Sequence, residues 1–186
     1  MNREGKLENI KSEMERNKIN ILGISEVRWK DGGDFESDGY RVLYAGEKEC
    51  QRGVAIILDR TCANKVISVE RYGDRIIMVK LQAEPVNMCI VQIYMPTSEH
   101  SDEEVEQIYD QIEELIKRQK GTENLLIMGD WNAVVGEGKD GDEVGPFGLG
   151  KRNDRGERLV EFCRRNNLMV TNTWFKQENR SSYTWK

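Results

Sequence analysis

The chain has 186 residues, of which 38% are hydrophobic and 33% are charged, and its net charge at pH 7 is −5. This length suits one domain that buries roughly 70% of its unfolded surface, so we expect a single domain over residues 1–186. The acidic balance argues against a uniformly basic surface that binds nucleic acid. The sequence has neither an apolar run of membrane-spanning length nor a signal peptide, which predicts a soluble, intracellular protein without a membrane partner.

Charge is unevenly distributed along the chain. Residues 151–186 contain nine Lys or Arg against four Asp or Glu, a net charge of +5, which leaves −10 for residues 1–150. An asymmetry of this kind can place a phosphate-facing rim beside an acidic site, although most such patterns are solvated faces. Both interpretations remain open at this point.

Helix and strand patterns follow one another along the chain. Apolar spacings of three and four residues predict amphipathic helices over 6–18, 101–120 and 153–166, with Ser101 and Asn153 as their caps where a cap is evident. Residues 31–39 hold three glycines and three aspartates and are predicted to form a loop or turn. Short apolar runs predict strands at 19–25, 40–44, 53–58, 65–69, 75–81, 86–94, 124–128 and 168–173, with another beginning at 182. So many closely spaced strands favour antiparallel sheets.

The four cysteines have no metal-binding spacing. Cys50, Cys62, Cys89 and Cys163 lie far apart, and the chain has one histidine. A zinc site is therefore not expected, and the thiols are predicted to be reduced. Cys89 and Cys163 lie in apolar patterns that predict core positions.

Polar side chains stand at the ends of three predicted strands. Glu26 directly follows one, Tyr94 ends another, and a third, predicted to be buried on both faces, leads to Asp130 and Asn132. Asp130 and Asn132 alternate along an extended chain and so project to the same side, and two acids at strand ends can converge on one cation. The alternatives are an ordinary turn around Asp130 and a packing role for Tyr94.

These side chains suggest metal-assisted hydrolysis of a phosphate ester. Hard oxygen ligands select Mg²⁺ or Mn²⁺, which polarise the phosphoryl group and neutralise charge on the leaving oxygen. The single histidine, His100, lies in a polar linker, so no nucleophile system of the Ser-His-Asp or Cys-His type is indicated. The glycine-rich segment 136–150 matches neither common nucleotide-binding pattern.

Three segments carry a family resemblance: Ile-Leu-Gly-Ile-Ser-Glu-Val-Arg-Trp at 21–29, Gln-Ile-Tyr-Met-Pro-Thr at 92–97 and Gly-Asp-Trp-Asn at 129–132. In this order they resemble motifs of the endonuclease/exonuclease/phosphatase superfamily. They are most similar to those of the apurinic-endonuclease-like domain of non-LTR retrotransposons. The resemblance continues through 147–150, 153–163 and 182–185. It implies an α/β fold, a four-layer α/β/β/α sandwich of two mainly antiparallel sheets, DNase I-like but incomplete.

The resemblance also implies roles for individual residues. Glu26 resembles the family's metal-ligating glutamate, for Mg²⁺ with Mn²⁺ as the alternative. Tyr94 resembles a tyrosine near the scissile phosphate, and Asp130 with Asn132 resemble the pair that orients or deprotonates the attacking water and binds phosphate. The residues expected to contact nucleic acid are Arg28, Arg155 and Trp185.

The function implied by the resemblance is that of a Mg²⁺-dependent DNA endonuclease, expected in the nucleus, that nicks a retrotransposon target and leaves a 3′-hydroxyl. The family also has a first strand bearing an Asn and a C-terminal segment with a Ser-Asp-His motif. Neither is found in these residues, and His100 lies in the wrong place for that motif, so we expect an impaired enzyme. Two alternatives stay open: a non-catalytic, domesticated remnant that acts as a binding module, and, more weakly, a phosphatase of the same superfamily.

Overall fold

Most of the chain is organised in two sheets and a small number of helices. The computed structural model describes residues 5–119 and 123–176. Contacts between Cα atoms divide the chain into two compact units. Unit 1 comprises Met1–Met95 and Gln119–Asp130, and unit 2 comprises Pro96–Arg118 and Trp131–Lys186.

Among the described residues, the regular elements of unit 1 are helices α1 (Lys6–Arg16) and α2 (Arg60–Ala63) and strands β1 (Ile21–Ser25), β2 (Gly32–Ser37), β3 (Tyr40–Ala45), β4 (Val54–Leu58), β5 (Val66–Tyr72), β6 (Ile76–Leu81), β7 (Met88–Tyr94) and β8 (Asn124–Asp130). Those of unit 2 are helices α3 (Asp102–Arg118) and α4 (Asp154–Arg165) and a short 3₁₀ helix (Thr171–Thr173).

In the described part of the chain, the strands form two four-stranded sheets. Sheet A has the order β1-β4-β3-β2, and all of its neighbouring strands are antiparallel. Sheet B has the order β5-β6-β7-β8, with antiparallel pairs except for the parallel pair β7 and β8. The prediction of two mainly antiparallel sheets in an α/β fold is therefore confirmed.

The two sheets enclose the main core of unit 1 between them. Leu43 and Ile56 from sheet A pack in one cluster with Ile77 and Ile90 from sheet B, and all four side chains are fully buried. Each such side chain stabilises the fold by about 1.5–3 kcal/mol relative to its exposed form. This packing fixes the distance between the strand ends of one sheet and those of the other.

Helix α1 covers the outer face of sheet A, as its amphipathic pattern predicts. Met14 is buried against Val42 and Ile57, and Leu7 and Ile10 pack on the same cluster. The spacing of three and four residues places these side chains on one face of the helix. Unit 1 is thus layered as a helix over two facing sheets.

Unit 2 contains the two longer predicted helices, and their capping predictions are confirmed. Ser101 and Glu104 form a capping box at α3, and the Asn153 side chain accepts a hydrogen bond from the Gly156 amide at α4. The rings of Tyr109 in α3 and Phe162 in α4 pack in a tilted arrangement with their centroids 4.9 Å apart. Within residues 5–119 and 123–176, no helix is both long and apolar enough to cross a membrane.

The prediction of a loop over 31–39 is wrong for most of that segment. Strand β2 pairs with β3 along its whole length, from Gly32 opposite Ala45 to Ser37 opposite Tyr40. Its polar composition is tolerated because β2 lies at the end of sheet A and exposes most of its residues. The Asp-Gly turn at 38–39, with positive φ at both residues, is the hairpin signal that marks it.

Two further strand predictions need correction. Strand β8 is not buried on both faces, since it is the last strand of sheet B in the described part of the chain and Leu126 is 41% exposed. Residues 168–173 do not form a strand, because Thr171–Thr173 is a 3₁₀ helix and Val170 makes only an isolated bridge to Val144. The strand predicted to begin at 182 lies outside the described residues.

Cys89 and Cys163 are buried, as predicted.

Gly129 allows β8 to lie against β7. Its φ is +143°, and it is the register partner of Ile93. A Cβ at this position would lie 2.1 Å from the Ile93 carbonyl oxygen and 2.8 Å from the carbonyl carbon. Both atoms belong to the backbone, so no side-chain movement relieves the clash.

Gly129→Ala is therefore expected to lower the free energy of unfolding by about 3 kcal/mol, since it combines backbone strain with overpacking. Gly73→Ala is the matched control: Gly73 has φ +66°, and nothing lies within 4 Å of a Cβ there. It should cost about 1 kcal/mol, from the left-handed backbone alone. Urea unfolding followed by circular dichroism measures both, and equal losses would contradict a special close approach at Gly129.

Candidate active site at the strand ends of unit 1

Glu26 stands at the first position after β1, on a backbone of unusual conformation. Glu26 and Arg28 have φ of +57° and +56°, in the left-handed region that non-glycine residues rarely adopt. Between them, Val27 is fully buried, and the amides of Val27 and Arg28 donate to the carbonyls of Gly53 and Arg52 at 3.1 and 2.9 Å. The buried valine anchors the segment, and the two charged side chains on either side of it are exposed.

Tyr94 reaches Glu26 from the other sheet. It is the last residue of β7, is 7% exposed, and its hydroxyl donates a hydrogen bond of 2.7 Å to Glu26 Oε1. Arg75 lies behind it, with the guanidinium carbon 5.2 Å from the ring centroid and Nη1 donating to the Tyr94 carbonyl at 3.1 Å. The Tyr94 to Glu26 bond therefore joins the strand ends of sheets A and B.

The electrostatics of the pair set opposite protonation states. The hydrogen bond from Tyr94 lowers the pKa of Glu26, partly opposed by burial and reinforced by Arg28. Burial raises the pKa of Tyr94 to about 12, and the hydrogen bond to Glu26 and the charges of Glu26 and Asp130 add to the rise. At neutral pH Glu26 is a carboxylate and Tyr94 is a protonated donor.

Asp130 lies beside this pair at the end of β8. It is the register partner of Tyr94, and its carbonyl accepts a hydrogen bond from the Met95 amide at 2.9 Å. Its charge contributes to the raised pKa of Tyr94. Unit 1 thus brings together three of the side chains indicated by the sequence, Glu26, Tyr94 and Asp130.

The structure places the other predicted site residues differently. Asn132 belongs to unit 2, and its φ of +46° shows that the extended alternation expected from Asp130 to Asn132 is not maintained. Arg155, also in unit 2, directs Nη2 to the His100 carbonyl at 3.4 Å and lies 3.7 Å from an Asp102 oxygen. Trp185 lies outside the described residues.

Arg28 bonds to the candidate metal ligand itself. Its Nη2 atom donates to Glu26 Oε2 at 2.9 Å, and the two side chains are 56% and 43% exposed. Both oxygens of Glu26 therefore accept a hydrogen bond, one from Tyr94 and one from Arg28. An exposed pair of this kind is weak and can exchange partners.

The carboxylates at this site can supply some of the ligands of a divalent cation, but not a complete set. Among residues 5–119 and 123–176, no group of three or more His, Cys, Asp or Glu side chains could hold a metal ion. Mg²⁺, however, is often bound by one or two carboxylates, with water and substrate phosphates completing its shell. The half-exposed Glu26 carboxylate fits that mode, and a closed cage of protein ligands does not.

Sequence reasoning missed the polar residues behind the site. Arg75 and Gln92 are 6% and 2% exposed, and Gln92 lies within the apolar run of β7. A polar residue in the middle of a buried strand is the signal that marks such a position, because its side chain needs a partner. The partner itself comes from another strand and is visible only in the fold.

The charge of Glu26 gives the site a pH dependence that stability measurements can detect. Because the pKa of Glu26 is lowered by folding, its contribution is present above its ordinary value of 4.5 and is lost as pH falls through the folded pKa. Glu26→Gln should reduce the free energy of unfolding at pH 7, and the difference from the parent should shrink below pH 4.5. Urea unfolding at pH 7 and pH 3 measures this difference.

Glu15→Gln serves as the control for that experiment. Glu15 lies on the exposed side of α1, away from the strand ends. The difference between this variant and the parent should be small and similar at both pH values. A Glu26→Gln difference that persists unchanged at pH 3 would contradict a stabilising role for the Glu26 charge.

Comparison with known proteins supports the resemblance suggested by the three segments. The chain is 41% identical over 182 residues to craniofacial development protein 2 of Bos taurus, a match that covers 97% of this chain and 31% of that protein. The chain thus spans about a third of that relative's length. No family model matches it.

Solved structures establish the fold. The endonuclease domain of TRAS1, a telomere-specific non-LTR retrotransposon, superposes with a TM-score of 0.58 at 19% identity, over 88% of this chain and 66% of that one. An endonuclease/exonuclease/phosphatase family protein from Leptotrichia buccalis superposes with a TM-score of 0.51 at 14% identity, over 83% of this chain and 80% of that one. The chain has the DNase I-like fold of these proteins, and the predicted resemblance is confirmed.

Proposed function

We propose that this chain, which has the fold of the endonuclease/exonuclease/phosphatase superfamily, is a divalent-cation-dependent DNA endonuclease of impaired activity. The observation that carries the proposal is the hydrogen bond from Tyr94 to Glu26, with Asp130 beside it. It combines a carboxylate, a neutral phenol and a second carboxylate at one end of the sandwich. These are groups that can bind a cation, donate to a phosphate oxygen and take a proton from water.

In the proposed reaction, each side chain has a distinct task. Water attacks the phosphorus atom, the bond from phosphorus to the bridging 3′ oxygen breaks, and that oxygen takes a proton from solvent water. The strand is left with a 3′-hydroxyl and a 5′-phosphate. Asp130 takes the proton of the attacking water, and Tyr94, which stays protonated at neutral pH, donates a hydrogen bond. Asn132 enters the proposal from its sequence motif alone, as a ligand of the phosphate.

Glu26 is the residue proposed to hold the cation. Mg²⁺ is favoured, with Mn²⁺ as the alternative, because both prefer oxygen ligands and Glu26 is a carboxylate at neutral pH. When bound, such a cation polarises the phosphoryl group and neutralises charge on the leaving oxygen. The substrate would be DNA, which would place the protein in the nucleus.

Nicking of supercoiled plasmid tests the proposal directly. The parent chain should nick with Mg²⁺ and stop when EDTA is added, and the nick should be extendable by a DNA polymerase. Asp130→Ala and Glu26→Gln should each lower kcat/KM by about 100- to 10,000-fold. Glu36→Gln, on the exposed strand β2, is the control and should retain the parent rate. Equal rates for the parent and Asp130→Ala would overturn the proposal.

A second candidate function is that of a non-catalytic module that binds DNA. The observation favouring it is that Arg28 donates a hydrogen bond to Glu26 Oε2, an oxygen of the candidate cation ligand. Under this alternative, the parent chain binds plasmid DNA in a gel-shift assay but does not nick it with Mg²⁺ or Mn²⁺. Binding should then be insensitive to EDTA.

The bond between Arg28 and Glu26 leads to a prediction about cation affinity. Because a cation and Arg28 compete for Glu26, Arg28→Gln should lower the Mg²⁺ concentration at half-maximal nicking by about two- to fivefold. The KM for DNA should rise, since a cationic side chain is lost. Lys30→Gln is the control: it removes an exposed charge two residues away and should leave the Mg²⁺ midpoint unchanged. A midpoint that rises in Arg28→Gln would contradict the competition.

A further inference from the structure

Gln92 is a buried polar residue within the sheet that carries Tyr94. It lies in β7 between Val91 and Ile93, which are 1% and 0% exposed, and it is itself 2% exposed. A buried amide is costly unless its hydrogen-bonding groups find partners. The partners of Gln92 lie at the end of a strand from the other sheet.

A short chain of hydrogen bonds links Gln92 to β1. Its Nε2 atom donates to Ser25 Oγ at 3.1 Å and to the Ile93 carbonyl at 3.2 Å. Ser25 Oγ in turn donates to the same Ile93 carbonyl at 3.1 Å. The Ile93 carbonyl therefore accepts from a side chain of each sheet, and the end of β1 is tied to β7.

We call these hydrogen bonds among Gln92, Ser25 and the Ile93 carbonyl the hydrogen-bonded cross-link. In each strand it lies one residue before the pair at the candidate site, Glu26 and Tyr94. Ser25 immediately precedes Glu26, and Ile93 immediately precedes Tyr94. Two successive connections thus span the sheets: the buried one through Gln92, and the 2.7 Å bond from Tyr94 to Glu26. Gln92 in the first connection is 2% exposed, whereas the Glu26 side chain in the second is 43% exposed.

Gly23 provides the space that Gln92 occupies. A Cβ on Gly23 would lie 1.8 Å from Gln92 Oε1 and 2.7 Å from Gln92 Cδ. Any residue larger than glycine at position 23 would displace the Gln92 amide from Ser25. The side chains of Gln92 and Ser25 would both remain present. Substitution of Gly23, which lies on β1 in sheet A, is therefore a way to disturb the hydrogen bonds of Gln92 without changing Gln92 itself.

We propose that Gln92, acting through Ser25, is a positioning residue that holds the Glu26 carboxylate against the Tyr94 hydroxyl. The effect of this positioning on catalysis rests on the proposed function. The positioning of Glu26 against Tyr94 itself can be tested without any enzymatic activity. Gln92 contacts neither the proposed substrate nor the reacting atoms. It acts by fixing the separation of two strand ends, one in each sheet.

The positioning of Glu26 against Tyr94 is tested by NMR at pH 7 of protein labelled with ¹³C at tyrosine Cζ. The Tyr94→Phe variant assigns the Tyr94 resonance. In the parent, Glu26→Gln should shift this resonance because the phenol loses its charged acceptor. In Gln92→Leu, Ser25→Ala or Gly23→Ala backgrounds, the same substitution should shift it by less than half as much. Ser25→Thr keeps the hydroxyl and should retain the full shift.

Ile90→Val is the matched control, since it loosens the same strand at a fully buried position without touching the cross-link. It should retain the full shift caused by Glu26→Gln. A full shift in both Gln92→Leu and Ser25→Ala would overturn the inference, whatever the nicking activity. Loss of the shift in Ile90→Val as well would also overturn it, because any loosening of the core would then have the same effect.

The effect of Gln92 on catalysis is tested separately by plasmid nicking. Gln92→Leu should lower kcat by about 10- to 100-fold and leave the KM for DNA unchanged, as expected for a misplaced reacting group. If the parent does not nick, the proposed endonuclease function fails, while loss of the NMR shift in Gln92→Leu still supports the positioning role. If the parent nicks and Gln92→Leu nicks at the parent rate, the catalytic part of the inference is overturned.

Discussion

The hydrogen bond between Tyr94 and Glu26 depends on the packing of both sheets at once. Its donor ends a strand of sheet B and its acceptor follows a strand of sheet A, so neither sheet alone defines its length. The apolar side chains between the sheets set the separation, and Gln92 and Ser25 adjust it locally through polar contacts. A site of this kind is a product of core packing, because close-packed interiors transmit small displacements instead of absorbing them.

Much of the fold follows from apolar periodicity, and the errors have physical causes. Strands such as β4 and β6 are recognisable because almost every residue in them is buried. Strand β2 resembles a turn in sequence, since an end strand of a sheet needs few apolar residues and its glycines and acids are tolerated there. The apolar run of β8 suggests burial on both faces. In the described part of the chain, however, β8 has one hydrogen-bonded neighbour, and its residues are half-buried or exposed.

The candidate site was predictable where chemistry sits at strand ends and unpredictable where it depends on distant partners. Glu26, Tyr94 and Asp130 each follow or end an apolar run, which a single sequence reveals. The role of Gln92 requires knowing that Ser25 faces it across the core. The bond from Arg28 to Glu26 is likewise hidden, because it arises from two left-handed residues that no propensity favours.

The left-handed backbone at Glu26 affects which residue types suit this position. Glycine adopts that conformation without strain, whereas a side chain there costs about 1 kcal/mol. This cost opposes the stability that the Glu26 carboxylate gains from its hydrogen bonds with Tyr94 and Arg28. At this position the backbone conformation favours glycine, whereas the hydrogen bonds and the proposed chemistry require a carboxylate.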